Sequence, residues 1–279
     1  MSETWTSTLG ELVRRGLGEA GQGALEYALN QRVGERFVGP GKEADWYFET
    51  FGRWISSAAG VAIGPLASDV VAAADLDLIH AGAVARCAAL AGDLDETLRA
   101  ALAARVREFQ FGGAFAMAPD GELSSYASYV AAGALDDLGE AIDAPALAAA
   151  IAGLANEDGG ISHDHSFRVS PTPTTAAGVM VLDRFGGPAE ILAAGRAYLF
   201  AQQSPSGAFL PGAFGGEGDL LSTATAVVAL GAQAREIAPS AREFVLSCRC
   251  ESGGFAPVPG GPADIEYTYY ALLALGALQ

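Results

Sequence analysis

The sequence predicts an all-α protein built as a closed ring of six helical hairpins, and three observations carry that expectation. A layout of glycine turn, Pro- and Gly-rich loop and apolar helix recurs along the chain. The turns open at Gly113, Gly159, Gly207 and Gly253, in steps of 46, 48 and 46 residues. A period of this length marks a repeat architecture. Around each turn the chemistry also recurs. The residue two places on is Phe115, Ile161, Phe209 or Phe255, and a hydroxyl opens each following helix at Ser128, Thr175, Thr223 or Thr268. The third observation is a contrast within each pair. The helix before the turn carries charge on one face (Arg99, Arg105 and Arg107; Arg242 and Glu243), whereas the helix after it, as in YTYYALLALGAL, is apolar nearly all round. A helix apolar on every side is buried on every side, which six apolar helices inside a wall of six mixed ones achieve.

Taken in order, residues 1–21 form a separate N-terminal helix, with Leu9, Leu12 and Val13 at helical spacing, and residues 22–279 form the ring as a single domain. A helix over Gln22–Arg32 ends near Gly34 and the loop ERFVGPGKEA follows. Asp45 then opens DWYFETFGRWISSAAG. Pro65 and Asp69 frame a short helix to about Ala73, and Asp75 begins DLDLIHAGAVARCAALAG, a shortened unit without a glycine turn. From Leu94 the pairs become regular, with Pro145, Pro188 and Pro239 where a first helical turn tolerates proline. No stretch alternates with period two strongly enough to predict a strand.

Composition limits the partners. The chain is 51% hydrophobic and 18% charged, so a sizeable core is assured. Its 33 acidic residues against 16 basic ones, net −17, argue against nucleic acid or an anionic membrane surface as the main partner. No stretch reads as a signal peptide or membrane span; Cys87, Cys248 and Cys250 are too few and too oddly spaced for a disulfide framework, and Cys248 and Cys250 read as buried structural thiols. The expectation is a soluble cytoplasmic protein.

The residues also carry a resemblance. SCRCESGGFAPVPGGPADIEYTYYALLAL resembles the repeats of terpenoid cyclases and of the catalytic subunit of protein prenyltransferases. RAYLFAQQSPSGAF is similar to the glutamine-plus-aromatic repeat of squalene-type cyclases, with Phe209 in place of the usual Trp. The likeness covers roughly residues 22–279 and implies an α/α toroid whose central cavity takes an isoprenoid chain.

The candidate site residues follow at the starts of the inner helices. In prenyltransferases resembling this chain, the position of Asp264 and Glu266 reads Asp-x-Cys and supplies zinc ligands; here Glu266 replaces the Cys and no His follows. Related cyclases use Asp-x-Asp-Asp, because a carboxylic acid kept protonated by its neighbours can start a cation cascade. The nearest matches are Asp219-Leu-Leu-Ser222 and Asp75-Leu-Asp77-Leu78, with His80 one turn on. Asp264, Glu266, Asp77 and Asp219 are therefore the candidate acids, each with the alternative of a simple helix cap. Trp46, Tyr47, Phe51, Trp54, Tyr126, Tyr129, Tyr267 and Tyr270 are the candidate substrate-binding aromatics, able to steady a cation or merely to fill a core. His163 and His165 flank Asp164 as candidate metal ligands.

Three functions fit these residues. The leading one is a terpenoid cyclase-like enzyme that closes a polyprenyl or other long apolar substrate into rings by acid-initiated chemistry. The others are a prenyltransferase-like enzyme dependent on zinc or magnesium, and a non-catalytic toroid serving as a partner subunit.

Overall fold

The computed structural model describes residues 4–66, 73–92 and 94–279. Its helices are α1 (Trp5–Ala20), α2 (Gln22–Asn30), α3 (Trp46–Ala58), α4 (Leu78–Ala91), α5 (Glu96–Arg107), α6 (Ser125–Leu138), α7 (Ala144–Ala152), α8 (Thr172–Phe185), α9 (Ala189–Ala201), α10 (Leu220–Leu230), α11 (Ala238–Ser247) and α12 (Ile265–Ala277). The expected short helix through Asp69 lies outside the described residues except for a 3₁₀ turn at Ala73–Asp75. Two-residue strands, which the sequence did not suggest, pair at the first two glycine turns. Arg32–Val33 faces Arg36–Phe37, and Gln110–Phe111 faces Ala114–Phe115. The later turns carry isolated bridges instead, Ala155 to Ile161, Gln203 to Phe209 and Arg249 to Phe255.

The chain forms two compact units, one of Met1–Pro65 with Gln203–Gln279 and one of Leu66–Gln202. Both are built from the same turn. Gly113, Gly159, Gly207 and Gly253 all sit at φ between +87° and +90°, a region that favours glycine. At two of them space demands glycine as well. A Cβ on Gly207 would lie 2.1 Å from the Ser240 carbonyl oxygen, and one on Gly253 would lie 2.4 Å from that of Gly23. The turn before α10 thus abuts α11, the next outer helix, and the last turn abuts α2, the first. In the first unit, the end of the chain meets its beginning.

Each turn is latched to the helix that follows. The backbone N–H of Phe115 donates to Ser128 Oγ (3.1 Å), that of Ile161 to Thr175 Oγ1 (3.0 Å), that of Phe209 to Thr223 Oγ1 (2.9 Å) and that of Phe255 to Thr268 Oγ1 (3.0 Å). These hydroxyls are fully buried, and the apolar residues that they hold lie at most 3% exposed in the core. A buried N–H must find a partner, and a hydroxyl four residues after the helix cap supplies it.

In the first hairpin a carboxylate takes the place of the hydroxyl. Phe37 N–H donates to Glu49 Oε2 at 2.7 Å, and Glu49 stands four residues after the cap Asp45 as Thr268 stands four after Asp264. Helix α1 packs on α12 and α3 in the first unit, where Gly16 and Gly276 let the backbones touch. A Cβ on either would come within 1.8 Å of a carbonyl oxygen, Leu272 O or Leu12 O.

Candidate active site

Helices α3 and α12 begin in the same way, and that shared start builds the site. Asp45 Oδ1 accepts the Tyr47 N–H at 2.6 Å, and Asp264 Oδ1 accepts the Glu266 N–H at 2.7 Å. An Asp cap fixes the first turn of a helix by satisfying an otherwise orphaned donor. Tyr47 and Glu266 therefore hold the same position in two neighbouring helices. Across the gap the Tyr47 hydroxyl donates to Glu266 Oε1 at 2.5 Å.

The electrostatics favour a protonated acid here. Burial holds the Glu266 carboxyl above its ordinary value; the Tyr47 hydrogen bond opposes that, and the nearby Asp264 charge adds to it. Asp264 is also raised, by burial first, against the hydrogen bonds from Glu266 and Tyr267 N–H. The Tyr267 phenol is raised by burial, then by Glu266, Asp219 and Asp264, so the three carboxylates share one neighbourhood. On the outer helix, the Tyr27 phenol is pushed up to about 12 by burial and by Asp264. Crowded, partly desolvated carboxylates of this kind take up protons to relieve repulsion.

Below this pair runs an aromatic wall. Tyr47 meets Phe51 edge-on at 4.9 Å, and Phe51 lies 5.1 Å from Tyr269 and 5.9 Å from Tyr270. Trp54 stacks on Tyr269 at 4.8 Å, but its indole N–H donates to Thr6 O of α1 and it is 3% exposed. Trp54 thus packs behind the wall, between Tyr269 and α1. Trp46 lies beneath the Arg36 guanidinium, 3.9 Å from its ring.

Each of the other candidates has its own setting. Asp219 caps α10, its Oδ1 taking Ser222 N–H at 2.7 Å and its Oδ2 the Ser222 hydroxyl at 2.9 Å. Tyr126 and Tyr129 stand on α6 in the second unit. The Tyr129 phenol is raised by burial first, beside the pair of Arg86 and Asp137, whose carboxylate is fully buried.

Asp77 and the two histidines complete the set of candidates. Asp77 caps α4 and binds His80 through its backbone N–H (2.8 Å) and Nδ1 (2.7 Å). Although desolvation lifts its carboxyl, the hydrogen bonds from His80 outweigh that and leave it below the ordinary value. Its side chain is 59% exposed, which sets it apart from the half-buried Glu266. The histidines sit in the loop that precedes α8. His163 Nε2 faces the Ser124 hydroxyl at 3.3 Å, His165 is exposed, and Asp164 is engaged by Ser166 and Phe167 N–H. Among the described residues no three His, Cys, Asp or Glu side chains gather to hold a metal ion.

The sequence also left Glu49 and Arg36 unmarked, and offered Arg53 only as one of several scattered arginines for a diphosphate. The signal was present, since Glu49 falls in the register of the four hydroxyls, but a carboxylate there does not read as a hydroxyl.

Among the described residues no helix is long and apolar enough to cross a membrane. The chain resembles the type II terpene cyclase MstE from Scytonema in complex with geranylgeranyl dihydroxybenzoate, with a TM-score of 0.67, 14% identity, and 95% of this chain covering 97% of that one. Candida albicans protein geranylgeranyltransferase-I complexed with GGPP matches with a TM-score of 0.59 at 16% identity, over 72% of this chain and 66% of that one. ent-Copalyl diphosphate synthase from Streptomyces platensis matches with a TM-score of 0.51 at 15% identity, over 97% of this chain and 50% of that one. The present chain thus spans just under two thirds of the transferase chain and nearly all of MstE. No curated protein sequence matches it. The prenyltransferase alpha-alpha toroid domain matches residues 78–182 and again 165–279, and the chain belongs to that family as an α/α toroid.

Proposed function

We propose that this toroid is an enzyme that takes a polyprenyl or similarly long apolar substrate and cyclises it by acid-initiated carbocation chemistry, with Glu266 as the proton donor. The observation that carries the reading is the half-buried Glu266, hydrogen-bonded by Tyr47, beside the aromatic wall of Phe51 and Tyr270. The isoprenoid-bearing complexes of its relatives support a substrate of this class.

Tyr47 engages Oε1, so the proton is carried on Oε2. Transfer to a terminal alkene forms one C–H bond from the π pair and leaves a tertiary cation. Each ring closure then turns the next alkene's electron pair into a C–C bond, and loss of a proton ends the sequence, so substrate and product are isomers. The Tyr47 hydroxyl stabilises the carboxylate left behind, since hydrogen bonds to ions are the strong ones. Tyr47, Phe51 and Tyr270 offer ring faces to the migrating charge. Burial first and the Asp264 charge after it favour the protonated form of Glu266, and Asp219 adds its charge to the same neighbourhood.

The test is incubation with geranylgeranyl dihydroxybenzoate and with geranylgeranyl diphosphate, reading cyclic isomers by mass spectrometry. Glu266→Gln keeps the shape and removes the proton, and turnover is expected to fall about 10²–10⁴-fold. Turnover should also fall as pH rises through the raised value of Glu266, because only the protonated form acts. Binding of both probes without any isomer formed would return the chain to a non-catalytic toroid.

A further inference from the structure

Helix α3 is clamped from behind by charges that stand where four other hairpins use a hydroxyl. Glu49 is fully buried. Its Oε1 takes Arg53 Nε at 2.7 Å, and its Oε2 takes Phe37 N–H at 2.7 Å. Arg36 Nε lies 3.2 Å from Oε2, close enough for an ion pair though off the line of a hydrogen bond. From Glu49 the clamp runs in two directions. Arg53 Nη1 donates to Gly64 O at 2.9 Å, tying down the segment after α3. The Arg36 guanidinium covers the Trp46 ring, tying down the first residue of the helix.

A hydroxyl suffices to latch the turn in four other hairpins, so latching alone does not call for a buried carboxylate. Burying an ion is expensive, and it persists where paired charges fix a geometry. Along α3, Glu49 and Arg53 are one turn apart on one face, while Tyr47 and Phe51 are one turn apart on another. The first pair grips the strand and the trailing segment; the second meets Glu266 and the aromatic wall. Fixing the first face fixes the rotation of the helix, and with it where the Tyr47 hydroxyl points.

We infer that Glu49, with Arg36 and Arg53, is a positioning device that aims Tyr47 at the carboxyl of Glu266. This rests on the reading of Glu266 as the acid only for its catalytic consequence, because the coupling itself can be measured without substrate. The groups facing Glu49 are Arg36 and Arg53, and those facing Glu266 are Tyr47, Asp264 and Tyr267.

The experiment is an infrared titration of the protonated carboxyl band assigned to Glu266 by its loss in Glu266→Gln. Tyr47→Phe removes a bond that favours the ionised form, so the Glu266 titration is expected to move up by about one pH unit. Glu49→Gln keeps the size and an acceptor for Phe37 N–H but leaves both guanidiniums without their counter-charge. It is expected to move the same titration upward, with no further movement when combined with Tyr47→Phe. Should Glu49→Gln not fold, Arg36→Gln releases Trp46 while keeping the pair of Glu49 and Arg53, and carries the same comparison. A variant that only lowers the melting temperature and titrates as the parent does would overturn the inference, as would shifts that simply add. Coupled titrations in a protein that turns over no probe would leave the positioning intact and remove the cyclase reading instead.

Discussion

Asp77 and Glu266 are both carboxylates at the start of an inner helix, and their surroundings drive them apart. Asp77 is mostly exposed and is held ionised by His80, whereas Glu266 is half-buried, close to Asp264, and pushed toward its protonated form. The two therefore respond to pH with opposite sign. Asp77, lower in the folded state, adds stability above its unfolded value and loses it as pH falls. Glu266, higher in the folded state, favours folding at low pH and opposes it as pH rises through the raised value. Asp77→Ala should lower stability by about 1 kcal/mol in urea titration, the usual worth of a cap, and leave turnover unchanged. If turnover falls with it, the acid has been misassigned. The sequence placed both residues at helix starts but could not rank them, because burial and the partner Tyr47, 219 positions away in the chain, belong to the fold.

At the scale of the element, the repeat is a glycine turn latched by a side chain. Thr223 illustrates it: Oγ1 accepts Phe209 N–H and donates to Asp219 O at 2.7 Å. Thr223→Val keeps the shape but leaves a buried N–H unpaired, so it should cost about 1–3 kcal/mol, read as a lower denaturation midpoint. Thr223→Ser should recover most of that loss, whereas a volume effect alone would leave Ser no better than Val. The glycine spacing, the apolar residue two places on and the hydroxyl were all legible in the sequence, since each rests on local backbone chemistry. The first hairpin hid its membership. Its turn uses Gly34 at φ +63° rather than a glycine two places before Phe37, and its latch is Glu49. The short strands escaped notice because two residues carry no periodicity.

For the molecule as a whole, the join between its ends is the part that a repeat pattern cannot specify. Periodicity says that hairpins stack; it does not say where stacking stops. In the first unit the answer lies in contacts between residues more than 200 positions apart: the turn at Gly253 against Gly23, and α12 against α1 and α3. Helix α1, which the sequence suggested as a separate lead-in, seats Leu9 and Val13 in the core and crosses α12 where Gly16 and Gly276 let the two backbones approach. Tyr47 and Glu266 face each other across the same join, so the candidate site exists only when the ends have met. Gly276→Leu should therefore do two things at once. Side-chain atoms forced against the Leu12 carbonyl would lower stability by about 1–3 kcal/mol, seen in the melting temperature. Any shift of α12 that relieves the clash would also separate Glu266 from Tyr47 and raise the Glu266 titration. Loss of stability without that rise would mean that α12 absorbs the strain locally, and that closure and the acid pair are independent.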